Sequence, residues 1–275
     1  MTGAAWTGLL VLALALAMTA GRAEGAGPAV AAHRGGALLW PENSLLAFRG
    51  ALALGVDMVE ADVQLTADGE LVVIHDPTLE RTTTGSGPVR AARLAELRAL
   101  RLKGADGAAT AEPVPTLGEL LDALAPTRAG LLLEIKTGSE GARYEGIEAK
   151  VLALLRARGL VARTIVMAFE PDTLRRVREL APSVRTALLI GRGRTQRDRV
   201  WPAEAVERAR EVGAGHLGMN HRLLDADVVA AARRAGITVA AWTVNEEAGI
   251  RRVVALGVDV VITDRPDLAR RVLGR

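Results

Sequence analysis

Met58-Val59-Glu60-Ala61-Asp62-Val63-Gln64-Leu65, followed by Thr66-Ala67-Asp68-Gly69-Glu70 and then Leu71-Val72-Val73-Ile74-His75, is the stretch on which the fold turns. The two apolar-rich runs stand too close together for a helix to intervene, and Asp-Gly between alternating runs is the strongest short signal for a β-hairpin. Taking Asp68-Gly69 as the two loop residues sets Ala67 opposite Glu70, Leu65 opposite Val72 and Asp62 opposite His75. That register alone brings a carboxylate to an imidazole, although an ordinary surface hairpin would make the same pairing by chance.

Elsewhere strands and helices alternate. Strand-like runs are Ala29–His33, Met58–Leu65, Leu71–His75, Leu131–Ile135, Thr164–Ala168, Thr186–Ile190, His216–Met219, Thr238–Trp242 and Val258–Ile262. Amphipathic segments at Asn43–Leu54, Glu145–Arg158, Asp172–Leu180, Ala203–Val212, Ala226–Ala235 and Glu246–Ala255 lie between most of them. Such alternation specifies parallel strands joined by helical crossovers. Eight or nine strands over about 245 residues favour an α/β fold of the closed (β/α)8 type, a TIM barrel, over an open sheet. No Gly-x-Gly-x-x-Gly follows a strand, which argues against a dinucleotide fold. The rhythm loosens from Asp76 to about Leu120, through Thr82–Pro88, a short helical run Ala92–Leu102 and the loop Lys103–Pro115. Residues from about 76 to 116 are therefore expected to form a small insertion after the third strand, above the active-site face.

Composition narrows the class. A chain of 275 residues that is 49% hydrophobic can bury one full core, and the barrel is expected over 28–275. Net charge is only +3 and acids and bases are interspersed, so nucleic-acid binding has little support. Lysine occurs only at Lys103, Lys136 and Lys150; Lys136, beside a carboxylate at a strand end, is the one where a compact ammonium has an evident use. The absence of cysteine excludes disulfides, thiolate metal sites, thiol nucleophiles and a lipoprotein anchor, leaving oxygen and imidazole as metal donors. Trp6–Ala20 is apolar and ends in small residues before Gly21-Arg22-Ala23. At roughly fifteen residues it is too short to span a bilayer and fits a signal-peptide core. Residues 1–24 are thus expected to direct export, periplasmic or secreted, with no stable membrane span in the mature chain, although no Lys or Arg precedes the apolar core.

The candidate chemistry lies at strand ends. Glu60 and Asp62, two apart, project from one face of a strand, and side-by-side carboxylates repel unless a cation or proton lies between them. Glu134 adds a third carboxylate after the apolar run Leu131–Leu133. Three carboxylates without thiolates suit Mg²⁺, Ca²⁺ or Mn²⁺. His33 and His75 each end an apolar run, and a histidine pair flanking a phosphate can act as base and acid. Arg34 offers a bidentate fork for a phosphate and Lys136 a point charge. Any one of these alone is also compatible with a salt-bridged strand end. Trp242, one of four tryptophans, can wall a small-molecule pocket or pack in the core. His216 and His221 lack such a setting and read as structural.

Ala32-His33-Arg34-Gly35, Pro41-Glu42-Asn43-Ser44, Glu60-x-Asp62, His75-Asp76-Pro77, Arg81-Thr82-Thr83, Glu134-x-Lys136, Trp242-Thr243-Val244-Asn245 and Thr263-Asp264-Arg265-Pro266 together resemble the glycerophosphodiester phosphodiesterase family, in order and over nearly the whole chain. The resemblance implies a barrel of the phospholipase-C-like phosphodiesterase type. It further implies one divalent cation, Ca²⁺ or Mg²⁺, on Glu60, Asp62 and Glu134, an acid/base pair in His33 and His75, and phosphate-gripping Arg34 and Lys136. Glu42, Asn43 and Trp242 would complete a substrate site for a small-molecule glycerophosphodiester. Two departures are Ser44, where relatives often carry threonine, and Ala168-Phe169, where Ser-Phe is common. A sphingomyelinase-D-like or lysophospholipase-D-like enzyme is the nearby alternative, and a non-catalytic exported phosphodiester-binding protein the distant one. The Pro41-Glu42-Asn43 block favours the glycerol-type enzyme, and the intact histidine pair argues against a mere binder. Oligomeric state is not legible.

Overall fold

Strands form where the apolar runs lie. In the computed structural model, which describes residues 27–192 and 204–275, they are β1 (Ala29–Ala32), β2 (Met58–Leu65), β3 (Leu71–Val73), β4 (Gly130–Ile135), β5 (Thr164–Ala168), β6 (Arg185–Ile190), β7 (His216–Asn220), β8 (Thr238–Trp242) and β9 (Val260–Thr263). The helices are α1 (Leu45–Ala53), α2 (Leu94–Ala99), α3 (Leu117–Leu124), α4 (Ile147–Ala157), α5 (Pro171–Leu180), α6 (Ala205–Glu211), α7 (Ala226–Arg234), α8 (Glu247–Leu256) and α9 (Pro266–Val272). Every strand except β3 is parallel to its neighbours, and β1 pairs with both β2 and β9, which closes an eight-stranded (β/α)8 barrel. The expected leader, 1–24, lies outside the described residues. Among the described residues no helix is long and apolar enough to cross a membrane.

Alternation along each strand divides the side chains between two cores. Val59, Ala61, Val63, Leu131, Leu133, Val166 and Leu217 point outward and pack beneath the helices. Ala31, Leu132, Ile165, Met167, Ala187, Leu189 and Ile262 fill the barrel interior. Because both faces are apolar, the strands read as near-continuous hydrophobic runs, the signature of a parallel sheet covered on both sides. On the interior face the apolar layers give way to Glu60, Asp62 and Glu134 towards the C-terminal strand ends, the end of a TIM barrel that carries function.

Two expectations are corrected. The β2–β3 hairpin pairs Leu65 with Leu71, Gln64 with Val72 and Val63 with Val73, one residue away from the expected register. The loop has three residues, Ala67-Asp68-Gly69, with the Thr66 N–H donating to Glu70 O at 3.0 Å and Gly69 at φ +79°. A left-handed glycine ending a three-residue loop is the alternative to the two-residue turn. Asp62 therefore faces Ile74, whose N–H donates to Asp62 O at 3.0 Å, and not His75. Second, α3 emerges from the segment read as irregular up to Leu120. Thr116 and Glu119 form a reciprocal capping box at its start, and Leu117, Leu120, Leu121 and Leu124 are fully buried, each contributing roughly 1.5–3 kcal/mol. Between Asp76 and Thr116 the chain holds only α2 and short turns around a satellite core of Val72, Ile74, Leu79, Val89, Leu97, Leu102 and Val114.

Candidate active site

The barrel register assembles the carboxylates. Asp62 on β2 is the direct lateral partner of Glu134 on β4, and Glu60 lies two residues below Asp62 on the same inward face. One oxygen from each falls within 4.8 Å of the others, and the three residues are 1–8% exposed. Cations stand beside them: Lys136 Nζ lies 2.7 Å from Glu134 Oε1 and 3.6 Å from Asp62 Oδ1, and Arg34 Nε lies 3.5 Å from Asp62 Oδ2. Burial, and then the charge of Asp62, push the Glu60 carboxyl well above the usual carboxylate range. Burial acts the same way on Asp62, but Lys136, His75 and Arg34, with a hydrogen bond from Asn43, outweigh it and hold Asp62 low.

The turn after β1 supplies the next layer. Arg34 has φ 51° and ψ 31°, a left-handed conformation costing about 1–3 kcal/mol in a non-glycine residue. In that conformation the Arg34 backbone N–H donates to Glu60 Oε2 at 2.8 Å. Gly35 follows at φ +82°, and a Cβ there would stand 2.7 Å from the Ala47 Cβ on α1, so both the backbone and the space call for glycine. Asn43, also left-handed at φ 58°, donates from Nδ2 to Asp62 Oδ2 at 2.9 Å and accepts the Asp62 N–H at Oδ1, 3.3 Å. The Ser44 hydroxyl accepts from Ala47 N–H at 3.0 Å and caps α1, so the hydroxyl retained at this position serves the helix.

Both histidines are anchored at Nδ1. His33 Nδ1 lies 2.6 Å from Asp264 Oδ1, and Asn245 Nδ2 donates to Asp264 Oδ2 at 2.6 Å. His75 Nδ1 lies 2.6 Å from Asp76 Oδ1. With each Nδ1 engaged by a carboxylate, the Nδ1–H tautomer is fixed and Nε2 is the free basic nitrogen. His33 Nε2 lies 3.9 Å from Glu60 Oε2. Burial opposes the charged form of His33, but the Glu60 carboxylate and the Asp264 hydrogen bond outweigh it and raise its pKa. Arg81, from the segment after β3, is a double fork: it donates to Asp76 Oδ2 (2.5 Å) and Oδ1 (3.0 Å) and to Glu42 Oε2 (2.7 Å) and Oε1 (2.9 Å). Glu42 Oε1 also accepts from Arg34 Nη1 at 2.9 Å.

His33, Arg34, Glu60, His75, Glu134 and Trp242 line one open cavity. Asp62 and Lys136 stand immediately behind this wall. Glu42 and Asn43, expected to contact substrate, do not line it: Asn43 is buried with both ends of its amide on Asp62, and Glu42 is held between Arg34 and Arg81. The apolar side of the cavity comes from Met167, Phe169, Leu189 and Ile262; of these the sequence singled out only Phe169, in the Ala168-Phe169 departure. Phe169 meets Trp242 edge to face at 5.7 Å between centroids. Asp76, Asp264, Asn245 and Arg81 stood within the quoted motifs but carried no assigned role; an acid next to His75 was the one available signal. His216 and His221 lie away from the cavity, the first bonded to Thr238 and the second beside Arg252.

Comparison with known proteins follows the same residues. The model of the glycerophosphoryl diester phosphodiesterase family matches residues 33–268. A glycerophosphodiester phosphodiesterase of Caldanaerobacter subterraneus subsp. tengcongensis is 34% identical over 239 residues, covering 86% of this chain and 94% of that one. One from Bacillus subtilis (strain 168) is 30% identical over 256 residues, covering 88% and 85%. An Oleispira antarctica phosphodiesterase solved in complex with the product sn-glycerol-3-phosphate superposes with a TM-score of 0.78 at 28% identity, covering 90% of this chain and 98% of that one. A barrel closed in the same way and a match running almost from end to end of the described chain place the protein: it belongs to the glycerophosphoryl diester phosphodiesterase family and is an enzyme of the phosphodiesterase class.

Proposed function

We propose that the protein hydrolyses glycerophosphodiesters to sn-glycerol 3-phosphate and the free alcohol, with a divalent cation and the two histidines as its working parts. The observation that carries this reading is Asp62 Oδ1, a buried carboxylate oxygen with no hydrogen-bond partner, standing between Glu60 and Glu134. A buried carboxylate oxygen left without a hydrogen-bond donor is costly even with Lys136 3.6 Å away, and a cation on these oxygens relieves it. Charge supports the same reading: with all three acids ionised, as cation binding would require, Arg34 and Lys136 leave one negative charge, which a divalent ion would convert to one positive charge, matched to a phosphodiester monoanion.

Glu60, Asp62 and Glu134 would hold the ion, Ca²⁺ or Mg²⁺, which would supply positive charge to the phosphate. Arg34 directs its guanidinium at the phosphate from a turn fixed by Glu42 and Asn43, and Lys136 balances the acids from behind. One histidine removes the proton from the nucleophile, either water or the neighbouring glycerol hydroxyl, and the other delivers a proton to the leaving alkoxide; where the hydroxyl attacks, water opens the resulting cyclic phosphate in a second step with the two roles reversed. Asp264 and Asp76 keep each Nε2 available for that transfer. Trp242 and Phe169 give the carbon skeleton an apolar wall. We also propose export by residues 1–24, on the strength of their apolar run; N-terminal sequencing of the mature protein checks the cleavage.

Glycerophosphocholine hydrolysis, followed with and without chelator, tests the function. Glycerol 3-phosphate should appear only with Ca²⁺ or Mg²⁺ present, and no product with either ion would rule the proposal out. Release of phosphocholine instead would place the cleavage at the other ester bond.

A further inference from the structure

Gln64 belongs to none of the groups so far described, yet it is fully buried on the interior face of β2, two residues beyond Asp62. Its backbone pairs with Val72, and β3 ends at Val73. Past that point the Ile74 N–H still donates to Asp62 O on β2 at 3.0 Å, and the chain then turns through His75 and Asp76 beyond the last ladder bond. The Gln64 side chain fills the gap: Nε2 lies 3.2 Å from Ile74 O, 3.0 Å from His75 O and 2.6 Å from Asp76 O. Carbonyls only accept, so three of them fix the amide with nitrogen towards the turn. The opposite end agrees, because Tyr144 Oη donates to Gln64 Oε1 at 2.7 Å. Tyr144 comes from the segment between β4 and α4 and is 8% exposed, and burial pushes its phenol up to about 12, so it stays a donor across the working pH range.

We infer that Gln64, locked by Tyr144, is a positioning residue that holds the His75–Asp76 backbone and so sets where the His75 imidazole stands in the cavity. Asp76 and Arg81 orient the ring from the side-chain end, whereas Gln64 fixes the main chain from which both His75 and Asp76 project. The segment needs such a clamp because the observed hairpin register leaves His75 beyond the last strand pair. Tyr144, anchored beyond the strand that carries Glu134, ties this turn to the far side of the carboxylate cluster. The inference rests on the proposed acid/base role of His75.

Gln64→Met keeps the length and volume of the side chain while removing both the donors and the acceptor. With glycerophosphocholine as substrate we expect kcat to fall about a hundredfold, the effect of a misplacement on the order of 1 Å, with KM little changed. In a His75→Ala background the same substitution should cost nothing further, since a residue that acts through another loses its effect once that other is gone. Tyr144→Phe, which removes one oxygen, should lower kcat about three- to tenfold and serves if Gln64→Met does not fold. Unchanged kcat in folded Gln64→Met, or in Tyr144→Phe where that variant alone folds, would overturn the inference, as would a full additional loss in the His75→Ala background. A His75→Ala enzyme with wild-type kcat would instead overturn the role of His75 itself, which separates the two failures.

Discussion

Asp264→Asn is the most discriminating single substitution at the histidines, because the surrounding hydrogen bonds dictate how the new amide must lie. Asn245 Oδ1 accepts the Asp264 backbone N–H at 2.9 Å and faces the Thr263 hydroxyl at 3.2 Å, so Asn245 Nδ2 must point at Asp264 Oδ2, 2.6 Å away. An amide at position 264 then has to turn its oxygen towards Asn245, since the reverse opposes two donors. Its NH₂ meets His33 Nδ1, which now accepts, and the ring proton moves to Nε2. His33 thereby loses the basic nitrogen that faces the cavity, together with a charge-assisted bond worth about 1.5–3 kcal/mol. Wrong-tautomer changes of this kind remove most of the benefit of acid/base catalysis, about 10²–10⁴ in kcat. Steady-state release of glycerol 3-phosphate from glycerophosphocholine measures the loss, and thermal unfolding verifies the fold. The Asp264 bond is also one of the influences that hold the His33 pKa above its ordinary value, so the pH-rate limb governed by His33 should move to lower pH in the variant. A kcat within about threefold of wild type, with the limb unmoved, would refute the orienting role and reduce Asp264 to a salt bridge.

Further outcomes follow from other parts of the molecule. Arg81→Gln should lower kcat about tenfold by releasing Asp76 and Glu42 together, and Arg81→Lys should not restore it, because a single ammonium cannot fork to two carboxylates; a fully active Lys variant would show that charge alone suffices. His216, half-buried against Thr238, has its pKa lowered to about 4 by burial and by Arg185. The unfolded chain, at 6.5, binds that proton more readily, so His216 contributes full stability above pH 6.5 and loses it progressively as pH falls to about 4, by about 3 kcal/mol at most. Urea midpoints at pH 7, 5.5 and 4.5 should fall less steeply in His216→Gln than in wild type; parallel slopes would exclude the effect.

Strand identity was legible because barrel strands buried on both faces leave apolar runs that no turn chemistry obscures, as Leu131–Leu133 and Ile165–Ala168 show. The spacing of Glu60 and Asp62 was equally legible, since a period of two settles that both project from one face. Helix α3 was missed although Thr116 and Glu119 spell its capping box, because the insertion before it broke the alternation that made the other helices visible. The His75 pairing failed for a different reason: two- and three-residue loops containing Asp-Gly differ by one residue of register, and the choice depends on the packing of the whole hairpin.

The sequence by itself determined the barrel, the inward-facing acids and the two strand-end histidines, because each depends on periodicity and residue type within a few positions of chain. Only the tertiary structure decided that Asp62 lies beside Glu134, that Asp264 and Asp76 fix the imidazoles, that Arg81 joins two carboxylates and that Gln64 clamps the turn. The carboxylate pairing depends on the stagger between β2 and β4, and the Asp264 and Gln64–Tyr144 contacts join residues 231 and 80 positions apart. Barrel closure sets these distances, and no local pattern of residues encodes them.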